Sequence, residues 1–183
     1  MKALFATVLF AVVSLAPAFA QNAQQERPMG QRGVDRIVKE VRHELLLLPY
    51  YGVFDNLAYK VDPDGTVTLL GQVARPTLKS DAENVVKKIE GVEKIDNQIK
   101  VLPLSGNDDR IRRDTYRAVY GNSSLAQYSM RAVPPIHIIV DNGHVTLVGA
   151  VATQMDKQIA VMQAKSVPGA FSVDDNLTVD GGK

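Results

Sequence analysis

The stretch Gly65-Thr66-Val67-Thr68-Leu69-Leu70-Gly71-Gln72-Val73 returns as Gly143-His144-Val145-Thr146-Leu147-Val148-Gly149-Ala150-Val151. An internal repeat constrains a fold more than any local pattern, because each copy must close into the same unit. The alignment continues without a gap: Gly91 falls on Gly169, Ile95 on Val173, Asp96 on Asp174, Ile99 on Leu177 and Val101 on Val179.

Around each copy the apolar periodicity gives the same order of elements. Val34, Ile37, Val38, Val41, Leu45 and Leu48 mark one face of a helix that Pro49 ends. Leu57, Tyr59 and Val61 alternate as a strand. Asp62-Pro63-Asp64-Gly65 is a turn, and Val67, Leu69 and Val73 line the return strand. Pro76 opens a second helix with Leu78, Ala82, Val85 and Ile89 inward, and Gly91 caps it. Ile95, Ile99 and Val101 form the last strand. In the second copy Ile111, Thr115, Ala118 and Val119 share a helical face, and Ile136, Ile138 and Val140 run into the hairpin signal Asp141-Asn142-Gly143. Thr153 is an N-cap with Asp156 three residues on. Met155, Ile159, Ala160, Met162 and Val167 are the expected buried side of the next helix. Phe171, Val173, Leu177 and Val179 close the unit.

The expected fold is therefore α+β: two tandem αββαβ domains, each a three-stranded mixed sheet on two helices. The first two strands of each unit pair antiparallel, and the third arrives by a helical crossover. The spans are 34–104 and 109–180, with a linker at 105–108 and a tail at 181–183. Gly65, Gly71, Gly91, Gly143, Gly149 and Gly169 serve as turn, bend and cap positions.

Residues 1–20 read as an export signal: Lys2, an apolar run from Ala3 to Leu15, and Ala18-Phe19-Ala20 as the cleavage site. A retained anchor is the alternative. Cleavage after Ala20 predicts a periplasmic protein with no transmembrane span in the mature chain and a flexible leader over 21–33. Removing Lys2 brings the 21 basic residues to 20, equal to the 20 acidic ones, so no global attraction to nucleic acid is indicated. Without cysteine there is no disulfide, no cysteine metal site and no acylation site for a lipoprotein.

The glycine-flanked Gly-x-Val-Thr-Leu-x-Gly-x-Val motif precedes a helix and then Gly91-Val92-Glu93-Lys94-Ile95-Asp96-Asn97-Gln98-Ile99-Lys100-Val101. This pattern resembles the BON domain, and the copy ending at Val179 resembles it equally. The two-copy layout is similar to osmotically inducible periplasmic BON proteins of Gram-negative bacteria. The resemblance implies a cell-envelope location, a part in envelope stress or maintenance, and binding of anionic phospholipid or an envelope protein rather than catalysis. A protein-binding adaptor or chaperone-like module is the alternative. Dual-BON lipoproteins carry an acylated cysteine that this chain lacks.

No catalytic set or cofactor site emerges from the residues. His43-Glu44 opens like a zinc-protease motif, but Leu47 stands where the second histidine is needed. If Asn142-Gly143 is a two-residue loop, Asp141 faces His144 as a surface pair and His137 faces Val148. The two imidazoles then lie roughly 13 Å apart, too far to share a metal. Arg110, Arg113 and Arg117 recur at helical spacing and suit phosphate groups. A solvated face neutralised by Asp108, Asp109 and Asp114 is the competing reading. Tyr120 and Tyr128 in the connection that follows are candidate interfacial aromatics, as are Tyr50, Tyr51 and Phe54; core packing is the alternative for all of them. The open sheet face should be polar and basic in the first copy (Lys60, Thr66, Thr68, Leu70, Lys94, Gln98, Lys100). In the second it holds His137, Ile139, Thr146, Val148, Asp174, Asn176 and Thr178. The apolar Ile139 and Val148, beside Thr146, predict a covered interface there.

Overall fold

The structure is a computed structural model that describes residues 29–180. The expected export signal, the expected leader as far as Pro28 and the tail at 181–183 lie outside the described residues. Helix α1 spans Gln31–Leu46, beginning three residues earlier than the apolar periodicity indicates. The Met29 amide donates to the Pro63 carbonyl at 2.6 Å, and Gly30 accepts from Gly33 and Val34. The end of the leader is thus pinned to the first hairpin, and the helix starts there. Ile37, Val41, Leu45 and Leu48 are buried, whereas Val38 is partly exposed.

Strands β1 (Asn56–Val61) and β2 (Thr66–Val73) pair antiparallel. Helix α2 (Pro76–Val86) has proline in its first turn, where the missing N–H costs nothing. It crosses back to β3 (Lys94–Asn97) and β4 (Lys100–Val101), both parallel to β2. These two pieces are one strand with an interruption. Leu69 is opposite Asn97 and Gln72 opposite Lys100, so the register is kept across the gap. At the interruption the Asn97 side chain accepts from the Ile99 amide at 3.3 Å.

The second unit repeats this plan with α3 (Gly106–Tyr120), β5 (Ile136–Asp141), β6 (His144–Val151), α4 (Gln154–Lys165) and β7 (Ser172–Val179). Strands β5 and β6 are antiparallel, with Asp141 opposite His144 and His137 opposite Val148; β7 is parallel to β6 along its whole length. Asn142 (φ 52°) and Gly143 (φ 81°) make the tight loop. Asp175, equivalent to Asn97, accepts from the Leu177 amide at 3.0 Å without breaking its strand.

Gly71 (φ 110°) and Gly149 (φ 131°) are positions where the hairpins need glycine. A Cβ would sit 2.1 Å from the Asn56 carbonyl oxygen and 1.8 Å from that of Pro135, respectively.

Two expectations change on folding. The segment expected to link the units is mostly helix: Ser105 caps α3 by accepting from the Asp108 amide at 3.1 Å. The buried side of α4 keeps Ala160 and Val167 as expected, with Ile159 packed on the core, and adds Asp156 and Ala164, while Met155 and Met162 are 63% and 59% exposed. Thr153 caps α4 through the Asp156 amide, and Tyr128 donates to the Asp156 carboxylate at 2.8 Å. That anchored carboxylate shares its face with Ala160 and Ala164, which turn inward, and both methionines are left outside.

Each unit has its own core. The first gathers Ile37, Val41, Val67, Leu69, Leu78 and Ile99; the second gathers Ile111, Leu125, Ile136, Ile138, Leu147 and Leu177. Val53 and Phe54 depart from this division. They belong to the loop after α1, yet pack against the second core.

Candidate anion-binding groove between the domains

After Pro49 ends α1, Tyr50 takes a left-handed φ of 68°; Tyr51 still packs on the first core, while Val53 and Phe54 reach the second. Asp55 then folds it into a turn: its carboxylate accepts from the Gly52 amide at 3.2 Å and the Ala74 amide at 2.8 Å. Burial pushes the Asp55 carboxyl above its usual range, although both amides and nearby Arg75 oppose that shift. The turn presents the Val53 carbonyl to the Ile138 amide at 2.8 Å, adding one strand-like contact to the edge of β5. Tyr51 stacks on His137, with ring centroids 5.7 Å apart. Burial holds the His137 imidazole below its ordinary 6.5 and raises the Tyr51 hydroxyl. Farther along the strand, Lys100 reaches Asp141 at 2.5 Å. Between these contacts and on the same face, Ile139 keeps only 4% of its surface. Contacts from the first unit thus reach β5 on either side of Ile139, and Thr146 and Val148 are half-buried beside it. Asp141 spends its charge on Lys100, and His144 turns instead to the Ser172 hydroxyl at 2.8 Å. The pairing expected across the hairpin is replaced by a contact between the units and one within the sheet.

Beside this junction lies a groove of about 600 Å³. Gly52, Val53 and Phe54 line it from the first unit. Arg113, Tyr116 and Arg117 come from α3, and Ser129, Arg131, Ala132 and Pro134 from the connection to β5. Phe54 meets Tyr116 edge-on at 6.2 Å and Tyr116 leans on Tyr120 at 4.9 Å, giving the cationic groove an aromatic wall. Arg117 pairs with Asp114 at 3.1 Å, while among the described residues neither Arg113 nor Arg131 is in an ion pair. Three guanidinium groups on an apolar wall offer paired donors to a phosphate and non-polar contact to whatever the phosphate carries.

The structure thus brings Arg113 and Arg117 together and adds Arg131, whose sequence context gave no helical spacing to signal it. Arg110 points elsewhere, donating to the Pro168 carbonyl at 3.2 Å and to Asn107 at 3.1 Å. Arg112 is buried and structural, held by Asp109 at 2.6 Å and the Val140 carbonyl at 2.7 Å. Tyr120 and Tyr128 are corrections: each is about 95% buried, so neither can meet a ligand. Tyr120 donates to the Ile136 carbonyl and accepts from the Ile136 amide; Tyr128 donates to Asp156 and accepts from the Ala152 amide. Their hydroxyls are spent inside the core. His137 and His144 do not converge, and no group of three potential metal ligands occurs among the described residues. No helix among them is long and apolar enough to cross a membrane.

The sequence model of the BON domain matches residues 33–103 and again 107–181. Two αββαβ units, each matched along its length, settle the class: the chain belongs to the BON domain family. The chain is 28% identical over 113 residues to the outer membrane lipoprotein DolP of Haemophilus influenzae, an alignment covering 62% of this chain and 58% of that protein. It therefore spans less than two thirds of that relative's length. Among solved structures, the C-terminal domain of CdsD, a structural protein of the type III secretion system of Chlamydia trachomatis, aligns over 78% of this chain and 96% of its own. The identity is 12% and the TM-score 0.29. A second CdsD structure aligns over 79% and 92% with a TM-score of 0.28. Scores this low carry no statement about this chain.

Proposed function

We propose that the chain is a non-enzymatic periplasmic protein of the cell envelope that binds anionic phospholipid and serves envelope maintenance under stress. The observation that carries this reading is the groove: Arg113, Arg117 and Arg131 line it beside Val53, Phe54, Tyr116 and Pro134, with no carboxylate among its lining residues. A headgroup phosphate takes the guanidinium donors, and the aromatic wall takes the glycerol and upper acyl carbons. Likeness to an outer membrane lipoprotein supports the envelope address.

The test is co-sedimentation of the chain from Gln21 onward, the form expected after export, with vesicles of increasing phosphatidylglycerol content. Bound protein should rise with phosphatidylglycerol and fall as salt is raised. Replacing Arg113 and Arg117 together by alanine should weaken binding about thirtyfold, at ~1 kcal/mol per arginine. An absence of binding at every composition, alongside a recovered protein partner, would turn the reading toward a periplasmic adaptor.

A further inference from the structure

The last turn of α1 and the residue after Pro49 carry apolar surface that the first core leaves outside. Leu46 is 48% exposed, Leu47 64% and Tyr50 72%, although Leu45 and Leu48 beside them are buried. Tyr50 holds a left-handed backbone, which a bulky residue keeps only where the surroundings enforce it, and its ring projects outward. The Arg75 guanidinium lies 4.9 Å from that ring. Exposed Arg42 stands one turn before Leu46, whereas Glu44, the acid of the same turn, is half-buried. The patch is therefore apolar with a cationic rim, the pattern of a surface that enters the boundary between headgroups and acyl chains of an anionic bilayer.

The patch also adjoins the groove. Only Tyr51 separates Tyr50 from Gly52 of the groove wall, which places their backbones within about 7 Å. On the other side Met130, 88% exposed, stands between Ser129 and Arg131, both groove residues. Exposed apolar residues of both domains are thus close chain neighbours of groove-wall residues.

We infer that Leu46, Leu47 and Tyr50 form an insertion element by which the first domain enters an anionic bilayer while the arginines of the second hold its phosphates. This rests on the headgroup reading and adds that both domains touch one membrane. The element supplies salt-insensitive affinity, and the arginines supply the salt-sensitive part.

The chain has no tryptophan, so a single introduced indole reports its own environment. Leu47→Trp, mixed with vesicles of equal parts phosphatidylglycerol and phosphatidylcholine, should shift its emission to the blue and be quenched by acyl-brominated lipid. Met155→Trp, on α4 outside both groove and patch, should do neither. Replacing Leu46 and Leu47 by serine should leave the melting temperature unchanged, because both side chains are outside the core, and lower vesicle affinity about tenfold. The binding that remains should still respond to salt. If Leu47→Trp sediments with the vesicles but its emission does not move, insertion is overturned and headgroup binding stands. If the unaltered chain does not sediment with them at all, both are overturned.

Discussion

Tyr120 and Tyr128 show how one hydroxyl can settle what a side chain is for. Each accepts from one backbone amide and donates to a buried acceptor; replacing Tyr120 by phenylalanine strands the buried Ile136 amide and carbonyl, whereas the Ala152 amide at Tyr128 is only part-buried. Tyr120→Phe should cost about 1–3 kcal/mol in urea unfolding through a lower midpoint with an unchanged slope. A change within error would mean that water takes over the Ile136 amide and carbonyl. In the sequence these tyrosines sit at the edge of a polar, glycine- and serine-bearing connection, where an aromatic reads equally as surface or core. Their partners on β5 and α4 are close only after folding. Arg112 and Arg113 likewise share one helix and one charge, yet the former is locked to Val140 and the latter faces the groove. Spacing on a helix gives faces; it does not say which face finds a carbonyl.

Among the elements, α4 shows apolar periodicity right at Ile159, Ala160 and Val167 and wrong at its two methionines. Met155 and Met162 are more hydrophobic than Ala160 and Ala164, so a pattern weighted by hydrophobicity turns them inward. The capped start at Thr153 and the anchored Asp156 decide otherwise. Met155→Gln and Met162→Gln should each change stability by less than about 0.5 kcal/mol, whereas Ala160→Leu should cost about 1–3 kcal/mol by overpacking. Thermal melts of the three variants separate the two stripes. The β5–β6 hairpin was legible from Asp141-Asn142-Gly143, but its anchor was not. Both oxygens of Asp108, buried in the first turn of α3, accept from the Asn142 and Gly143 amides at 3.0 and 2.9 Å. Asp108→Ala should release those amides to fast hydrogen exchange while the strands on either side stay protected.

Across the whole molecule, the two domains meet through the Gly52–Asp55 turn, Tyr51 on His137 and Lys100 on Asp141. Ile139→Lys would put an unpaired charge where 4% of the side chain is exposed, so the domains should separate. Small-angle scattering should show a larger radius of gyration; an unchanged one would mean that the contact does not hold the domains together. The same junction should respond to pH. Burial lowers the His137 pKa below 6.5, so on acidification a freed imidazole takes up a proton before a docked one does. The docking contribution is complete above about pH 6.5 and is lost as pH falls below it. Asp55, whose pKa is raised, acts with the opposite sign at lower pH, its favourable part fading as pH rises through and beyond 3.8. His137→Phe keeps a ring against Tyr51 and should remove the loss below pH 6.5 in scattering measured across a pH series.

The sequence alone determined the repeated unit, its order of elements, the antiparallel hairpins, the helical crossovers and the glycine positions. Each follows from short-range rules: period, turn chemistry and the steric freedom of a missing Cβ. The tertiary structure alone decided that Val53 and Phe54 of the loop after the first helix pack on the second domain's core, that Tyr51 and Lys100 reach His137 and Asp141 on either side of Ile139, and that Arg131 joins Arg113 and Arg117. Those facts join residues far apart in the chain, and no local periodicity carries a distance between two surfaces that meet only once both domains have folded.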